Sequence, residues 1–404
     1  MDTGSLATVC AAVFAWGLVA ARMARADITG PVVFVLAGAL LVGTGAVGGT
    51  VDAESVRPLV EIALVWVLFS DAARVRLRDL RADAGPCLRL LAVGLPLTVL
   101  AGWALAVGLL PGLGGWLALL VGAALAPTDA ALGVPVVTDP AVPARIRRLI
   151  TVESGLNDGI VTPVVVVALA GAASAEGLAE APGPLAALTE LAVGVGVGAA
   201  VGAVGGALLR AAGNRGWAAD ELAGVAVLAL AGAVYALALV LHGNGFVGAF
   251  CGGLAFGAAA GPRGPAELAF TEQAGALVGL LVWLVFGAVA VPVLLDRADW
   301  TVLLYAALSL TVVRMAPVAL ALLGAADART VLFVGWAGPR GLASLVFALL
   351  ALEGLGAAAE PAVAVVTATV LLSVVVHGVS AAPLAARYGR SVAARQQQAV
   401  TRGG

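Results

Sequence analysis

At 404 residues the chain is long enough for two or three soluble domains, but 62% of it is hydrophobic, 11% is charged and the mean hydropathy is +1.07. A soluble surface needs roughly 25% charged residues, so a water-soluble enzyme or binding module is excluded. The net charge of −2 leaves no basic patch for nucleic acid, and Cys10, Cys87 and Cys251 match no metal spacing or disulfide framework.

A helix needs about 20 mostly apolar residues to cross hydrocarbon. Runs of that kind succeed one another at 4–21, 31–48, 57–71, 87–110, 114–138, 145–171, 185–209, 219–241, 243–261, 268–295, 300–323, 327–353 and 361–386, which predicts thirteen spans. After the third, Asp71–Asp83 is too charged to cross and reads as an amphipathic surface helix. Nothing basic precedes the first run, so no cleavable leader is expected. The expectation is one all-α polytopic membrane domain over 1–388 and a short cytoplasmic tail at 389–404. All 22 basic residues are arginines. With the N-terminus outside, all of them fall on inner segments except Arg57 and Arg297, on outer loops, and Arg314 and Arg340, inside spans. The positive-inside rule therefore predicts a multi-pass cell-membrane protein with its N-terminus outside and its C-terminus cytoplasmic.

Span five carries LAPTDAALGVPVV, with Pro127 and Pro135 eight residues apart. Pro127 has no N–H to give, so the helix should unwind there, and Thr128 or Asp129 can cap its second half. Span six carries TVESGLNDG, with Glu153, Asn157 and Asp158 at bilayer depth. Thr151, Ser154 and Asp158 share one helical face, and Glu153 and Asn157 the adjoining one. Such an oxygen-rich, His- and Cys-free site suits a small hard cation better than Zn²⁺. Span twelve carries GWAGPRGLAS, where Gly338, Pro339 and Gly341 surround Arg340. If spans 1–6 and 8–13 are two halves, span five corresponds to span twelve, and an offset of seven spans makes the halves inverted repeats. Charged breaks at matching positions of two halves point to a midplane transport site.

These residues resemble the monovalent cation:proton antiporters of the NhaP and eukaryotic NHE type, the sodium/hydrogen exchangers. The motifs that carry the resemblance are APTDA (Ala126–Ala130), ESGLNDG (Glu153–Gly159), GNGFVGAFCGGLAFG (Gly243–Gly257) and GPRGLAS (Gly338–Ser344). The resemblance implies a fold of 13 helices in two inverted repeats with broken, crossing helices at the midplane. It also implies a homodimer, each protomer moving a core domain against a dimerisation domain. By resemblance Asp158 is the ion-binding carboxylate, Ser154 and the Thr128 carbonyl are further Na⁺ ligands, and Asn157 stands where electrogenic relatives carry a second Asp. Glu153 matches a carboxylate that binds through water or pairs with the span-twelve arginine, and Asp129 the acidic residue at the crossing. Arg314 lies where relatives often carry an arginine, with its role open.

The function so implied is exchange of Na⁺, or Li⁺, for H⁺ by alternating access at one buried carboxylate, with no cofactor. A bare carboxylate is costly in low dielectric, so the site holds a proton or a cation, one displacing the other. With Asn157 beside Asp158, one proton per cation is expected. Asp129 and Arg340 are expected to offset the helix-end charges at the breaks. Arg340 is also expected to pair with Glu153, leaving Asp158 unpaired. His377, deep in span thirteen, reads as a packing residue more readily than as a proton relay. The rivals are K⁺/H⁺ exchange on the same fold and, from another class, an intramembrane aspartyl protease using Asp129 and Asp158, whose G-x-G-D signature is missing.

Overall fold

The computed structural model describes residues 3–24, 28–44, 53–75, 84–179, 183–261 and 264–403. Among the described residues every predicted apolar run is helical and no strand occurs. In the first half these are α1 (Thr3–Ala24), α2 (Gly30–Gly43), α3 (Ala53–Arg74), α4 (Ala84–Leu109), α5 (Gly115–Ala124, resuming at Val134–Thr138) and α6 (Ala144–Ala175). Next come α7 (Pro184–Asn214), α8 (Asp220–Val240), α9 (Gly245–Ala260), α10 (Gly264–Arg297) and α11 (Trp300–Ala321). The last are α12 (Ala328–Trp336, resuming at Leu342–Leu355) and α13 (Glu360–Gly403). Of these stretches, 8 are long and apolar enough to cross a bilayer, and α2, the first segment of α5 and α9 are shorter apolar helices.

The predicted surface helix over Asp71–Asp83 lies mostly outside the described residues, and its first four residues simply continue α3. Helix α13 runs on through residue 388, where the tail is expected to begin. The tail stays against the bundle because the Phe333 and Tyr388 rings stack at 4.2 Å and Arg395 pairs with Asp327, the residue that caps α12.

Proline shapes two helices in the same way. A π-helical turn occupies Leu90–Gly94 in α4 and Ser309–Val313 in α11, and Pro96 and Pro317 lie within the turn after each. A proline cannot bond the carbonyl four residues back, and a widened turn is one way to absorb the loss. Helices four and eleven are seven apart, as are the two interrupted helices α5 and α12.

The helices pack in two groups. In one, α7 and α9 meet along a seam of glycines at four-residue spacing, Gly194, Gly198, Gly202 and Gly206. A Cβ at Gly202 would stand 2.1 Å from the Gly252 carbonyl, so the two backbones are in contact. Without a hydrophobic drive between helices in lipid, such close approach is what dispersion requires. The glycine-rich motif of α9 is thus a packing device: its other face, at Gly253 and Gly257, lies against α3. Helices α2, α8 and α10 complete this group. The second group is α4, α5, α6, α11, α12 and α13, which holds the two interrupted helices. The groups meet where α3 and α10 face α12 and α13, and where α9 faces α6.

Candidate functional site

In α5 helical hydrogen bonding stops at Ala124 and resumes as a 3-10 turn at Ala130–Gly133, so Leu125 to Asp129 run unwound. In α12 the gap lies between Trp336 and Leu342. The two unwound stretches cross and hydrogen-bond to each other: the Asp129 N–H donates to the Pro339 carbonyl at 2.8 Å.

Three of the helix ends at this crossing find partners on other helices. Arg340, fully buried, donates through Nη1 to the carbonyls of Ala126 at 2.7 Å and Pro127 at 3.0 Å, at the negative end of the first α5 segment. The Asp129 carboxylate accepts from the Leu342 N–H at 3.3 Å, at the positive end of the second α12 segment. Its approach requires Gly341, because a Cβ there would stand 2.1 Å from Asp129 Oδ2. Ser344 closes the set, donating to the Ala124 carbonyl at 2.6 Å. The local cap expected for the resumed α5 comes instead from α6: the Ala130 N–H donates to Ser154 Oγ at 2.8 Å.

Helix α6 delivers its polar face to this crossing. Ser154 Oγ donates to the Thr128 carbonyl at 2.8 Å, and Asn157 Nδ2 donates to Thr128 Oγ1 at 2.8 Å. Thr128, Ser154, Asn157 and Asp158 are all buried. Thr151, on the predicted face, is exposed and bonds back to the Arg147 carbonyl. Beside Asp158, Gly159 has no Cβ to clash with the Phe250 ring of α9, which lets the two helix groups touch at the depth of the site.

The predicted Arg340–Glu153 pair is not formed. Glu153 is held by Arg314 through two contacts, Nη1 to Oε1 at 2.7 Å and Nη2 to Oε2 at 3.0 Å, with both side chains almost fully buried. The reason is reach: Arg340 sits in the unwound stretch with its guanidinium turned onto α5 carbonyls, whereas α11 brings Arg314 to Glu153. Sequence depth alone offers two mid-span arginines and does not choose between them. Asp158 is different from both: among the described residues no basic group pairs with it.

Another acidic residue that sequence reasoning misses as a site neighbour is Asp71 on α3, whose carbonyl lies 3.3 Å from where a Gly155 Cβ would be. The charge run that starts at Asp71 reads as a surface helix and so hides it. Among the described residues no cluster of three or more His, Cys, Asp or Glu has the arrangement of a metal centre.

Comparison with known proteins gives one consistent result. Residues 8–387 match the family model described as sodium/hydrogen exchanger, transmembrane. The fold is similar to that of the sodium proton antiporter MjNhaP1 from Methanocaldococcus jannaschii at pH 8, at 20% identity and a TM-score of 0.77, over 95% of this chain and 98% of that one. An electron-microscopy structure of the same antiporter gives a TM-score of 0.74 at 20% identity, over 96% and 98% of the two chains. At that identity the likeness is one of fold, and the family model carries the function. The protein is a multi-pass membrane antiporter of monovalent cations and protons, not an enzyme, and it belongs to the sodium/hydrogen exchanger family.

Proposed function

We propose that the chain exchanges Na⁺ or Li⁺ for H⁺, one for one, with Asp158 as the group that carries either. The observation that carries this reading is the distribution of countercharge. Two buried arginines stand near the site; Arg314 is committed to Glu153, and Arg340 to the carbonyls of Ala126 and Pro127. Asp158 is left to be neutralised by its cargo. A buried carboxylate without a partner is stable only when protonated or bound to a cation.

In this reading Na⁺ is bound by the Asp158 carboxylate, Ser154 Oγ and the Thr128 carbonyl, the last two already 2.8 Å apart. These are hard oxygen donors, matched to a small hard ion. Asn157 acts one step back, fixing the Thr128 hydroxyl and adding no second titrating group. Glu153 is silenced by Arg314, which supports a stoichiometry of one. Protonation of Asp158 releases the cation; cation binding releases the proton. Asp129 and Arg340 hold the crossing against the partial charges of its four helix ends.

Alternating access fits the way the two helix groups are joined. With the N-terminus outside, Arg57 and Arg297 are on the outer side, and both bridge the groups: Arg57 reaches Glu353 of α12 at 2.8 Å, and Arg297 reaches Glu360 of α13 at 2.6 Å. Among the described residues the inner pairs of Arg74 with Glu272 and of Arg395 with Asp327 each join helices of one group. The structure is then latched outside by partly exposed pairs worth about 0–1 kcal/mol each, weak enough to break in each cycle. A homodimer, the remaining part of the reading, rests on the family resemblance.

The test is cation-driven proton movement in proteoliposomes carrying an internal pH indicator, with Na⁺, Li⁺ and K⁺ added in turn to wild type and Asp158→Asn. A Na⁺ or Li⁺ response absent from Asp158→Asn is expected. A response to K⁺ alone would replace the substrate, and a response retained in Asp158→Asn would remove Asp158 from its role.

A further inference from the structure

Two buried polar side chains of α13 are not used by the exchange reading. His377 is 4% exposed and Ser373, one turn earlier, is fully buried. His377 Nδ1 lies 3.1 Å from Ser373 Oγ and 2.9 Å from the Ser373 carbonyl. The ring also packs against the Trp336 indole in a tilted arrangement, with ring centroids 5.1 Å apart. Ser373 Oγ in turn accepts the backbone N–H of Arg340 at 2.8 Å. Other hydroxyls of this helix, on Thr367 and Thr369, bond only to their own helix four residues back. Ser373 and His377 reach across to α12, as do Ser380, whose Oγ accepts the Trp336 Nε1–H at 2.9 Å, and Tyr388, whose hydroxyl meets that of Thr330 at 2.8 Å; of these, Ser373 is the one that bonds the unwound stretch itself.

What Ser373 and His377 reach is the α12 gap, at both of its parts. Trp336 is the last residue of the first α12 segment, and Arg340 lies in the unwound stretch. From Arg340 the chain of contacts continues to the carbonyls of Ala126 and Pro127, and from Pro339 to the Asp129 N–H. Thr128, whose carbonyl faces Ser154, lies between those anchor points. The space beside the ring, walled by Gly133, Trp336 and Pro339, is about 10 Å³, no more than one water.

We propose that His377 and Ser373 are positioning residues for cation binding, a clamp on the α12 break that sets where the Thr128 carbonyl stands relative to Asp158. The proposal rests on the exchange reading above. Either tautomer of the ring serves, since Nδ1 takes the Ser373 hydroxyl proton or gives one to its carbonyl. What the clamp needs is a polar atom at the Nδ1 position. Asn supplies one there; Gln places its amide near Nε2 instead; Ala supplies none.

The experiment measures Na⁺-driven exchange in proteoliposomes for wild type, His377→Ala, His377→Asn, His377→Gln and Ser373→Ala, with the half-saturating Na⁺ concentration and the maximal rate obtained separately. His377→Ala, His377→Gln and Ser373→Ala should each raise the half-saturating concentration about tenfold, the effect of one lost hydrogen bond at the site, with the maximal rate changing less. His377→Asn should restore wild-type Na⁺ affinity. Melting temperature in detergent is measured beside it. Variants that melt earlier but keep wild-type Na⁺ affinity would overturn the proposal, as would equal affinities for Asn and Ala at position 377. If His377→Ala does not accumulate, Ser373→Ala, which removes one oxygen, decides alone. Failure of the wild type to exchange any cation would instead overturn the exchange reading and this proposal with it.

Discussion

Replacing Arg314 with Met tests the reassigned ion pair. Arg314 and Glu153 are 2% and 4% exposed and joined by two contacts of 2.7 and 3.0 Å, so neither charge is shared with water. Removing one member of such a pair strands the other and costs about 3–5 kcal/mol, whereas removing both with volume kept is often nearly neutral. Arg314→Met and Glu153→Gln should therefore each destabilise strongly, and the double variant should be less unstable than the sum by about 2 kcal/mol or more. The assay is reversible unfolding in detergent micelles, followed by tryptophan fluorescence, for the four members of the cycle. The same cycle with Arg340→Met should give the smaller coupling, since Arg340 spends its bonds on carbonyls. A coupling to Glu153 larger for Arg340 than for Arg314 would refute the reassignment.

The geometry sets three further outcomes. Gly341→Ala puts a Cβ 2.1 Å from Asp129 Oδ2 and should displace the carboxylate from the Leu342 N–H, lowering both melting temperature and exchange rate; wild-type values for both would show that the crossing has slack. Asp327 is held down to about 2 by hydrogen bonding to Thr330 and by Arg395. Its folded value is below the unfolded one of about 3.9, so its stabilisation is present above about pH 4 and lost as pH falls through about 2. Asp327→Asn should melt below wild type at neutral pH, and the gap should close on acidification; a constant gap would mean the loss is steric. Arg57→Ala with Arg297→Ala should loosen the outer latch, shifting the two-state ratio by up to about thirtyfold. Spin labels at Leu185 of α7 and Trp300 of α11, both exposed, should then report a broader distance distribution. An unchanged distribution would rule the latch out.

The parts of this molecule legible in the sequence are those fixed by one-dimensional patterns. Apolar run length locates the helices, and Pro127, Gly338, Pro339 and Gly341 locate the two gaps, because proline and glycine act on the backbone where they stand. The charges at bilayer depth are equally visible, since nothing else in such a chain explains them. Choices between partners are not. Arg314 and Arg340 have the same depth by sequence, and which of them meets Glu153 depends on the rotation of α11 and on the direction the unwound Arg340 backbone gives its side chain. The cap on Ala130 escapes for a related reason: local rules look for it one residue upstream, and the crossing supplies it from Ser154, 24 residues away. Asp71 reads with the charges after it rather than with the membrane helix before it. The clamp of His377 on the α12 gap depends on how two helices pack, which no spacing within α13 reveals.

Whether Asp158 alone carries the exchange is decided by counting protons per cation on the purified protein. Na⁺ is titrated into a weakly buffered detergent solution, at a pH low enough that the site is protonated beforehand, and released protons are read against bound Na⁺. One proton per Na⁺ is expected in wild type and none in Asp158→Asn. Two protons per Na⁺ would require a second carrier, and release that survives in Asp158→Asn would remove Asp158 from the exchange.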